Sequence, residues 1–260
     1  MNSSNKVRAS YWRLQLTTDL DKSPQVVVHT GTRPPTEIPE GLELRHVPML
    51  EVEPVEVNTE RLSKLTQEPT GLVIYSRNAT RCLRKTGVDE VLTPFDRHTW
   101  WAVGEKSATH LHREFGVRAR YPTEQNFEGL LAEFATAELP DSVIAFSLEG
   151  KERDLGPVLN DRGITFTDVP VYRTVPAEFD GPLAEFEDAD WIVLTSPRGV
   201  RVFHDLVETG EAVPDLSAVR VAAIGPTTAE SLAELDIDVD FVPGEPGLDA
   251  ILRAIAADDT

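Results

Sequence analysis

Residues 223–232, Ala-Ile-Gly-Pro-Thr-Thr-Ala-Glu-Ser-Leu (AIGPTTAESL), run from strand-like residues through Gly225 and Pro226 into a helical pattern. Residues 102–111, AVGEKSATHL, carry glycine, a hydroxyl residue, alanine and leucine at the matching places, 121 positions earlier. Ser107 therefore corresponds to Thr228. A strand, glycine turn and helix start that occur twice predict that one structural unit is present twice in the chain.

A second pair of segments extends this repeat upstream. Residues 71–83, GLVIYSRNATRCL, align with residues 191–203, WIVLTSPRGVRVF, and place Ser76 opposite Ser196. The offset is 120 here, far longer than the roughly 20 to 50 residues of solenoid repeats. The sequence thus indicates a duplicated domain.

Strand-like apolar runs alternate with helical patterns along the chain. The predicted strands are residues 26–29, 72–75, 100–103, 117–121, 143–146, 164–169, 192–194, 219–224 and 239–242. Helices are predicted to begin near residues 59, 78, 105, 127, 151, 199, 227 and 247. Valine- and isoleucine-rich strands followed by helices favour parallel sheets with right-handed crossovers. We therefore predict an α/β fold with two flavodoxin-like or Rossmann-like domains.

The repeat leaves residues 26–33 as an orphan strand, because the two copies occupy about residues 57–166 and 179–260. The second copy has no counterpart of strand 143–146, so we expect the orphan to complete its sheet. The predicted layout is a tail, 1–24, a discontinuous α/β domain, 25–45 with 174–260, and an inserted α/β domain, 46–173. The proline-marked segments 44–54 and 166–176 are expected to pair as a two-stranded β hinge.

Composition narrows the class of protein. The 260 residues suit two modest domains, and 44 acidic against 25 basic residues give a net charge of −19, which argues against nonspecific nucleic-acid binding. No apolar run approaches the roughly 20 residues that span a bilayer, and the N-terminus lacks a secretory signal. With Cys82 as the single cysteine, we expect a cytoplasmic protein without membrane contact or internal disulfide.

Polar residues follow the predicted strands where ligands bind in open parallel sheets, beyond the carboxyl ends. The candidate binding residues are Arg33, Ser76, Asn78, Lys106, Ser107, Gly150, Lys151, Ser196, Gly225, Thr227 and Thr228. Helix capping is the alternative role for the hydroxyl and amide side chains. Their recurrence in both copies favours a receptor for carboxylate or phosphate groups.

Basic residues near these loops, within an acidic chain, predict a cleft between the two domains for a multiply anionic small molecule. Scattered solvated arginines are the alternative. Tyr172 lies in the hinge segment VPVYRTVP, where a phenol could donate a hydrogen bond and a proton to a ligand in the cleft. Packing of the hinge is the other interpretation of Tyr172.

Other chemistries have little support in the sequence. There is no Walker A motif and no G-x-G-x-x-G after the first strand, and LTSPRG is not a nucleophile elbow. The six histidines lack partners at metal-ligand spacing, so we expect surface or hydrogen-bonded histidines and no metal site.

Seven segments together resemble the uroporphyrinogen-III synthase family over about residues 26–256: IYSRNA, AVGEKSATHL, YPTEQNFEGLL, FSLEGKERDLGPVLNDRGI, VPVYRT, LTSPRGV and AIGPTTAESL. The resemblance implies two α/β domains joined by a two-stranded ladder, and neither metal nor cofactor. Two departures stand out. After Arg33 the chain has PPTEIPEG where a helix is usual in the family, and Tyr75 stands where threonine is common.

The resemblance also implies an activity: cyclisation of hydroxymethylbilane to uroporphyrinogen III, with loss of water and inversion of ring D through a spiro-pyrrolenine. Tyr172 matches the family tyrosine that assists loss of the hydroxyl. The matching substrate-binding positions are Thr227, Thr228, Ser76, Ser196 and Ser107. A monomer that makes transient contact with the preceding pathway enzyme is expected. The alternatives are a noncatalytic two-lobed binder of tetrapyrroles or other anions, a regulatory protein of the same fold, and a sugar-nucleotide transferase.

Overall fold

The computed structural model describes residues 23–35, 37–150, 154–179, 184–210, 218–245 and 247–257. The chain divides into two compact units, each held together by contacts among its own residues. Unit 1 comprises Met1–Glu51 and Val175–Thr260, and unit 2 comprises Val52–Thr174. The boundaries lie a few residues from the positions 45/46 and 173/174 given by the sequence.

Strands and helices alternate along the described residues. The strands are β1 Gln25–His29, β2 Leu42–His46, β3 Leu50–Pro54, β4 Gly71–Ile74, β5 Thr99–Ala102, β6 Ser142–Leu148, β7 Thr165–Pro176, β8 Trp191–Leu194 and β9 Arg220–Ala223. The α-helices are α1 Thr59–Leu65, α2 Arg77–Lys85, α3 Val88–Val91, α4 Glu105–Phe115, α5 Phe127–Thr136, α6 Gly156–Asn160, α7 Pro197–Thr209, α8 Pro226–Ala233 and α9 Leu248–Ala256. Two short 3-10 helices, Phe95–Arg97 and Ala184–Phe186, complete the set.

Each unit is built on one sheet. The unit 1 sheet has the order β2-β1-β8-β9, and the unit 2 sheet has the order β3-β7-β6-β4-β5. The pairs β1–β2, β1–β8, β8–β9, β4–β5, β4–β6 and β6–β7 are all parallel. The predicted α/β fold with parallel sheets is therefore confirmed.

The orphan strand β1 lies in the unit 1 sheet beside β8, with Val28 opposite Ile192, as expected from the sequence. The predicted hinge segment 44–54 pairs with segment 166–176 over part of its length only. Its first part belongs to β2, which pairs with β1, and only its second part forms β3, the neighbour of β7. Pro48 separates the two strands, because proline has no N–H to continue a ladder.

The duplication extends to single hydrogen bonds. Ala102 N–H donates to the Arg120 carbonyl at 2.8 Å, and Ala223 N–H donates to the Phe241 carbonyl at 3.0 Å, at the same offset of 121. The predicted strands 117–121 and 239–242 are reduced to single parallel bridges at Arg120 and Phe241. A proline two residues after each bridge, in both copies, removes the next ladder donor.

Both faces of each sheet are covered by apolar side chains. In β1, Val28 packs into one core cluster and Val27 into another, and both are fully buried. In β4, Leu72 faces one cluster and Val73 the other. This alternation between two cores explains the near-continuous apolar runs of these strands. Among the described residues, no helix has the length and apolar character needed to cross a membrane.

The remaining local predictions have mixed outcomes. The described residues between Arg33 and β2 form no helix, as the PPTEIPEG segment indicated. The helix predicted from Lys151 begins at Gly156 instead, and residues 151–153 lie outside the described residues. The short helix α3 and the two 3-10 helices were not predicted, because fewer than two helical turns leave no readable periodicity.

Gly129, in the first turn of α5, provides a test of packing near the carboxyl edge of the unit 2 sheet. A Cβ at this position would lie 1.9 Å from the Glu124 carbonyl oxygen, which is backbone and cannot swing away. We expect Gly129→Ala to lower the free energy of unfolding by about 1–3 kcal/mol. Gly244→Ala is the matched control, because a Cβ there meets nothing within 4 Å. Equal urea midpoints for the two variants would contradict this packing.

Candidate functional site

Ser76 and Tyr172 meet at the carboxyl edge of the unit 2 sheet. Ser76 follows β4 and is the N-cap of α2, where its Oγ accepts a hydrogen bond from Ala79 N–H at 3.2 Å. The same Oγ lies 2.9 Å from the Tyr172 hydroxyl. The Ser76 hydroxyl therefore caps α2 and also contacts the Tyr172 hydroxyl. Asn78 follows in the first turn of α2 and is half-buried.

A β-bulge sets the direction of Tyr172. Ser147 of β6 pairs with Pro170 and Leu148 pairs with Tyr172, so Val171 is one extra residue in β7. Successive side chains of a regular strand point to opposite faces, yet Val171 and Tyr172 both pack into the core cluster that contains Leu83. Tyr172 is only 6% exposed. The bulge thus turns the tyrosine toward α2, where its hydroxyl reaches Ser76.

The duplicated glycine turns have the same geometry in both units. Gly104 precedes α4 with φ −173° and ψ 172°, and Gly225 precedes α8 with φ −179° and ψ 177°. Ser107 and Thr228 are the third residues of these helices, and they are 7% and 1% exposed. The two hydroxyls therefore lie in the first helical turn, beside backbone N–H groups at the positive end of the helix dipole.

Gln125 is a functional candidate that the sequence reasoning missed. Its Oε1 accepts from Glu105 N–H at 2.9 Å and so occupies the first amide of α4. A Cβ on Gly104 would lie 3.0 Å from the Gln125 Cβ, which explains glycine at this close approach. In unit 1 the corresponding first residue, Pro226, has no N–H at all. In both turns the N–H of the third residue, Ser107 or Thr228, donates to the carbonyl of the turn glycine at 3.1 Å, so the side-chain hydroxyl is the candidate group of these residues for a ligand.

In unit 1 the candidates follow the carboxyl ends of β1, β8 and β9. Ser196 caps α7, and its Oγ accepts from Gly199 N–H at 3.1 Å, in the manner of Ser76. Arg33 follows β1 and is half-buried, whereas Thr227 is exposed beside the buried Thr228. The parallel strand order brings these residues to one edge of the sheet.

The remaining charged candidates of unit 2 have different surroundings. Lys106 is exposed at the start of α4, and Gly150 follows β6 with φ +73°, a left-handed conformation that favours glycine. Arg173, beside Tyr172, pairs with Glu53 at 3.0 Å on the surface. Part of the positive charge expected near the hinge is therefore compensated. Lys151 lies outside the described residues.

Two stacked histidines stand at the carboxyl ends of β1 and β2. The rings of His29 and His46 lie 5.4 Å apart with an interplanar angle of 20°. His46 Nε2 is 2.6 Å from the Gly31 carbonyl and must donate to it. His29 is 2% exposed, and its Nδ1 has no hydrogen-bond partner among the described residues. The expected hydrogen bonding of buried histidines is therefore not met at Nδ1 of His29.

Burial and the neighbouring His46 lower the pKa of His29 to about 3 from the ordinary value of 6.5. Burial also lowers the pKa of His46. Both rings are therefore neutral in the folded protein at neutral pH. Within the described residues, no group of three or more histidine, cysteine, aspartate or glutamate side chains could hold a metal ion.

The pKa of His29 gives a prediction for acid stability. Below pH 6.5 the unfolded chain binds a proton at this residue and the folded chain does not, so stability falls as the pH decreases toward 3. We expect this residue to reduce the free energy of unfolding by about 2 kcal/mol between pH 7 and pH 5. His29→Gln should remove that part of the loss in urea titrations at the two pH values. His112→Gln, on an exposed position of α4, should keep the wild-type dependence. An unchanged pH dependence in His29→Gln would contradict the assignment.

Together these features define a protein of two α/β units, each with hydroxyl side chains at helix starts on the carboxyl edge of a parallel sheet. A family model described as HEM4, uroporphyrinogen-III synthase HemD, matches residues 39–253. Because the match spans most of the chain, the protein belongs to the uroporphyrinogen-III synthase family. The resemblance found in the sequence motifs is confirmed.

Two curated relatives carry the name uroporphyrinogen-III synthase. The protein from Saccharomyces cerevisiae is 26% identical over 174 residues, which are 60% of this chain and 63% of the yeast protein. The protein from Chlorobaculum parvum is 26% identical over 215 residues, which are 78% of this chain and 84% of the relative. The alignment thus spans less than two thirds of the yeast relative's length.

Solved structures share the fold. Uroporphyrinogen-III synthetase from Helicobacter pylori aligns with a TM-score of 0.64 at 18% identity, over 91% of this chain and 100% of that one. A mutant uroporphyrinogen III synthase from the extremely thermophilic bacterium Thermus thermophilus aligns with a TM-score of 0.53, also at 18% identity, over 91% and 100% of the two chains. At this identity the likeness shows the fold alone.

Proposed function

We propose that this protein is a uroporphyrinogen-III synthase that cyclises hydroxymethylbilane, with loss of water and inversion of ring D through a spiro-pyrrolenine. The observation that carries the proposal is the hydrogen bond between Tyr172 and Ser76 at the carboxyl edge of the sheet, in a chain of this family. A phenol held in place at the ligand-binding edge of a parallel sheet suits proton donation to a leaving hydroxyl.

Binding of the substrate is assigned to the helix starts. Hydroxymethylbilane is a flexible linear tetrapyrrole with eight carboxylates, so it needs several anion receptors in fixed positions. In the first turns of α4 and α8, the Ser107 and Thr228 hydroxyls lie at the positive end of the helix dipole, next in sequence to the N–H groups of Lys106 and Thr227. Arg33 and Lys106 supply positive charge in an otherwise acidic chain.

The reaction begins with transfer of the Tyr172 proton to the terminal hydroxyl of the substrate. The carbon–oxygen bond breaks, water leaves, and an azafulvene cation remains. The substituted carbon of ring D attacks this cation to form the spiro-pyrrolenine, which fragments and recloses with the ring reversed. Ring D then loses a proton, which balances the proton that Tyr172 gave. Because the free substrate also cyclises to isomer I, the contribution of the protein is to fold the chain and stabilise cations. A monomeric cytoplasmic enzyme in transient contact with its pathway predecessor is part of the proposal.

Conversion of hydroxymethylbilane, followed by chromatographic separation of the oxidised isomers, tests this function. We expect isomer III as the main product, in proportion to enzyme concentration, and isomer I in the control without enzyme. Isomer I alone, together with measurable substrate binding, would contradict the synthase and favour the noncatalytic binder.

Thr228 gives a test of the assigned anion receptor. Thr228→Ala should raise KM or lower kcat/KM by about tenfold, because a hydrogen bond to a charged group contributes about 1.5–3 kcal/mol. Thr228→Ser, which keeps the hydroxyl at this buried position, should retain most of the activity. Thermal unfolding of both variants separates a loss of activity from a loss of stability. Full activity in Thr228→Ala would remove this residue from the site.

A further inference from the structure

We infer that Ser76 is a positioning residue for the Tyr172 phenol, acting through the N-terminus of α2. The inference rests on the proposed function and assigns Ser76 a role other than the substrate-carboxylate ligand implied by the resemblance. For a positioning role, Ser76 must contact the Tyr172 hydroxyl directly, its own side chain must be fixed, and the contact must affect proton transfer.

The contact and the fixed serine are both present. Ser76 Oγ lies 2.9 Å from the Tyr172 hydroxyl, and Ala79 N–H donates to the same Oγ at 3.2 Å. A hydroxyl has one donor and two acceptor positions, so Ser76 can accept from Ala79 and still donate to Tyr172. Since Ala79 N–H belongs to the first turn of α2, this hydrogen bond fixes Ser76 on the helix, and Ser76 in turn orients the Tyr172 hydroxyl.

Tyr172 is fixed from the strand side as well. The bulge at Val171 sets its direction, and the Tyr172 carbonyl accepts from Glu149 N–H at 2.8 Å. The ring is buried in the core of unit 2. Only the hydroxyl end of this side chain therefore depends on a side-chain partner for its orientation, and Ser76 is such a partner.

Proton transfer explains why the contact matters. When the phenol O–H bond breaks and the proton moves to the leaving hydroxyl of the substrate, Tyr172 becomes a phenolate. Ser76 then donates its hydroxyl proton in a hydrogen bond to the phenolate oxygen, while its own oxygen stays bonded to Ala79 N–H. The positive end of the α2 dipole lies behind this pair and stabilises the developing charge.

The duplicated copy supplies a natural control. Ser196 caps α7 with the same geometry, its Oγ 3.1 Å from Gly199 N–H. The segment VPML at residues 47–50 resembles VPVY at residues 169–172, with Leu50, the first residue of β3, at the place of Tyr172. Leucine has no hydroxyl to orient. A serine caps the helix in both copies, and in unit 2 this serine also contacts a phenol.

The experiment compares Ser76→Ala with Ser196→Ala, each alone and combined with Tyr172→Phe. We expect Ser76→Ala to lower kcat by about ten- to a hundredfold with little change in KM, because it removes a hydrogen bond to a charge that develops in the transition state. In the Tyr172→Phe background the same change should have little further effect on kcat. Ser196→Ala, at the cap of α7 in unit 1, should combine multiplicatively with Tyr172→Phe.

Two further variants separate positioning from capping. Ser76→Gly keeps an acceptable N-cap residue without the hydroxyl and should reproduce the loss of kcat. Ser76→Thr keeps the hydroxyl and should restore most of it. A higher KM with unchanged kcat in Ser76→Ala, or a multiplicative effect with Tyr172→Phe, would overturn the inference and leave Ser76 as a substrate ligand or a cap.

A readout without turnover keeps the inference separate from the proposed function. Carbon NMR of the tyrosine ring reports the hydrogen bonding of Tyr172 through its Cζ shift, assigned by the signal missing from Tyr172→Phe. We expect Ser76→Ala to move this signal and Ser196→Ala to leave it unchanged. Equal shifts in both variants, or none, would contradict the contact. If the wild type makes no isomer III but this signal moves as expected, the proposed function fails while the positioning of the phenol stands.

Discussion

A right-handed crossover between parallel strands requires each following helix to begin at the carboxyl edge of the sheet. This constraint applies to both units, and it decides where their chemistry can be. Ser76 and Ser196 occupy one pair of equivalent helix starts, and Ser107 and Thr228 occupy another, because the strands before them are equivalent. The parallel topology and the short hydroxyl side chains in the first helical turns support the proposed anion binding at these edges.

The two copies are similar in architecture but differ in their polar details. Both have the glycine turn, the serine cap and the single bridge two residues before a proline. In unit 2 the serine cap contacts a phenol, that of Tyr172, whereas the similar segment VPML has Leu50 at the matching place. Unit 1 instead has the neutral, stacked pair of His29 and His46 at its edge. The two units are thus similar scaffolds that carry different side chains at a few edge positions.

The sequence predicted what depends on periodic or repeated patterns. The alternation of valine-rich strands and helices gave the parallel sheets, and the position of β1 followed from the strand missing in the second copy. The hinge was predicted less well, since Pro48 divides it into two strands with different partners. The contact between Ser76 and Tyr172 was not predicted. It depends on a bulge at Val171, and a one-residue change of register leaves no periodic signal in the sequence. The burial of His29 was missed for a similar reason, since the sequence around one polar residue at a strand end does not show which side chains pack against it.

The central claim is that carboxylates of the tetrapyrrole bind at the starts of α4 and α8. Backbone amide NMR of the protein with uroporphyrinogen III, kept reduced, tests this claim most directly. We expect the largest shift changes at the amides of residues 106–108 and 227–229, and weaker changes at these amides with Thr228→Ala. Saturable changes confined to other parts of the sheets, with these six amides unmoved, would contradict the account.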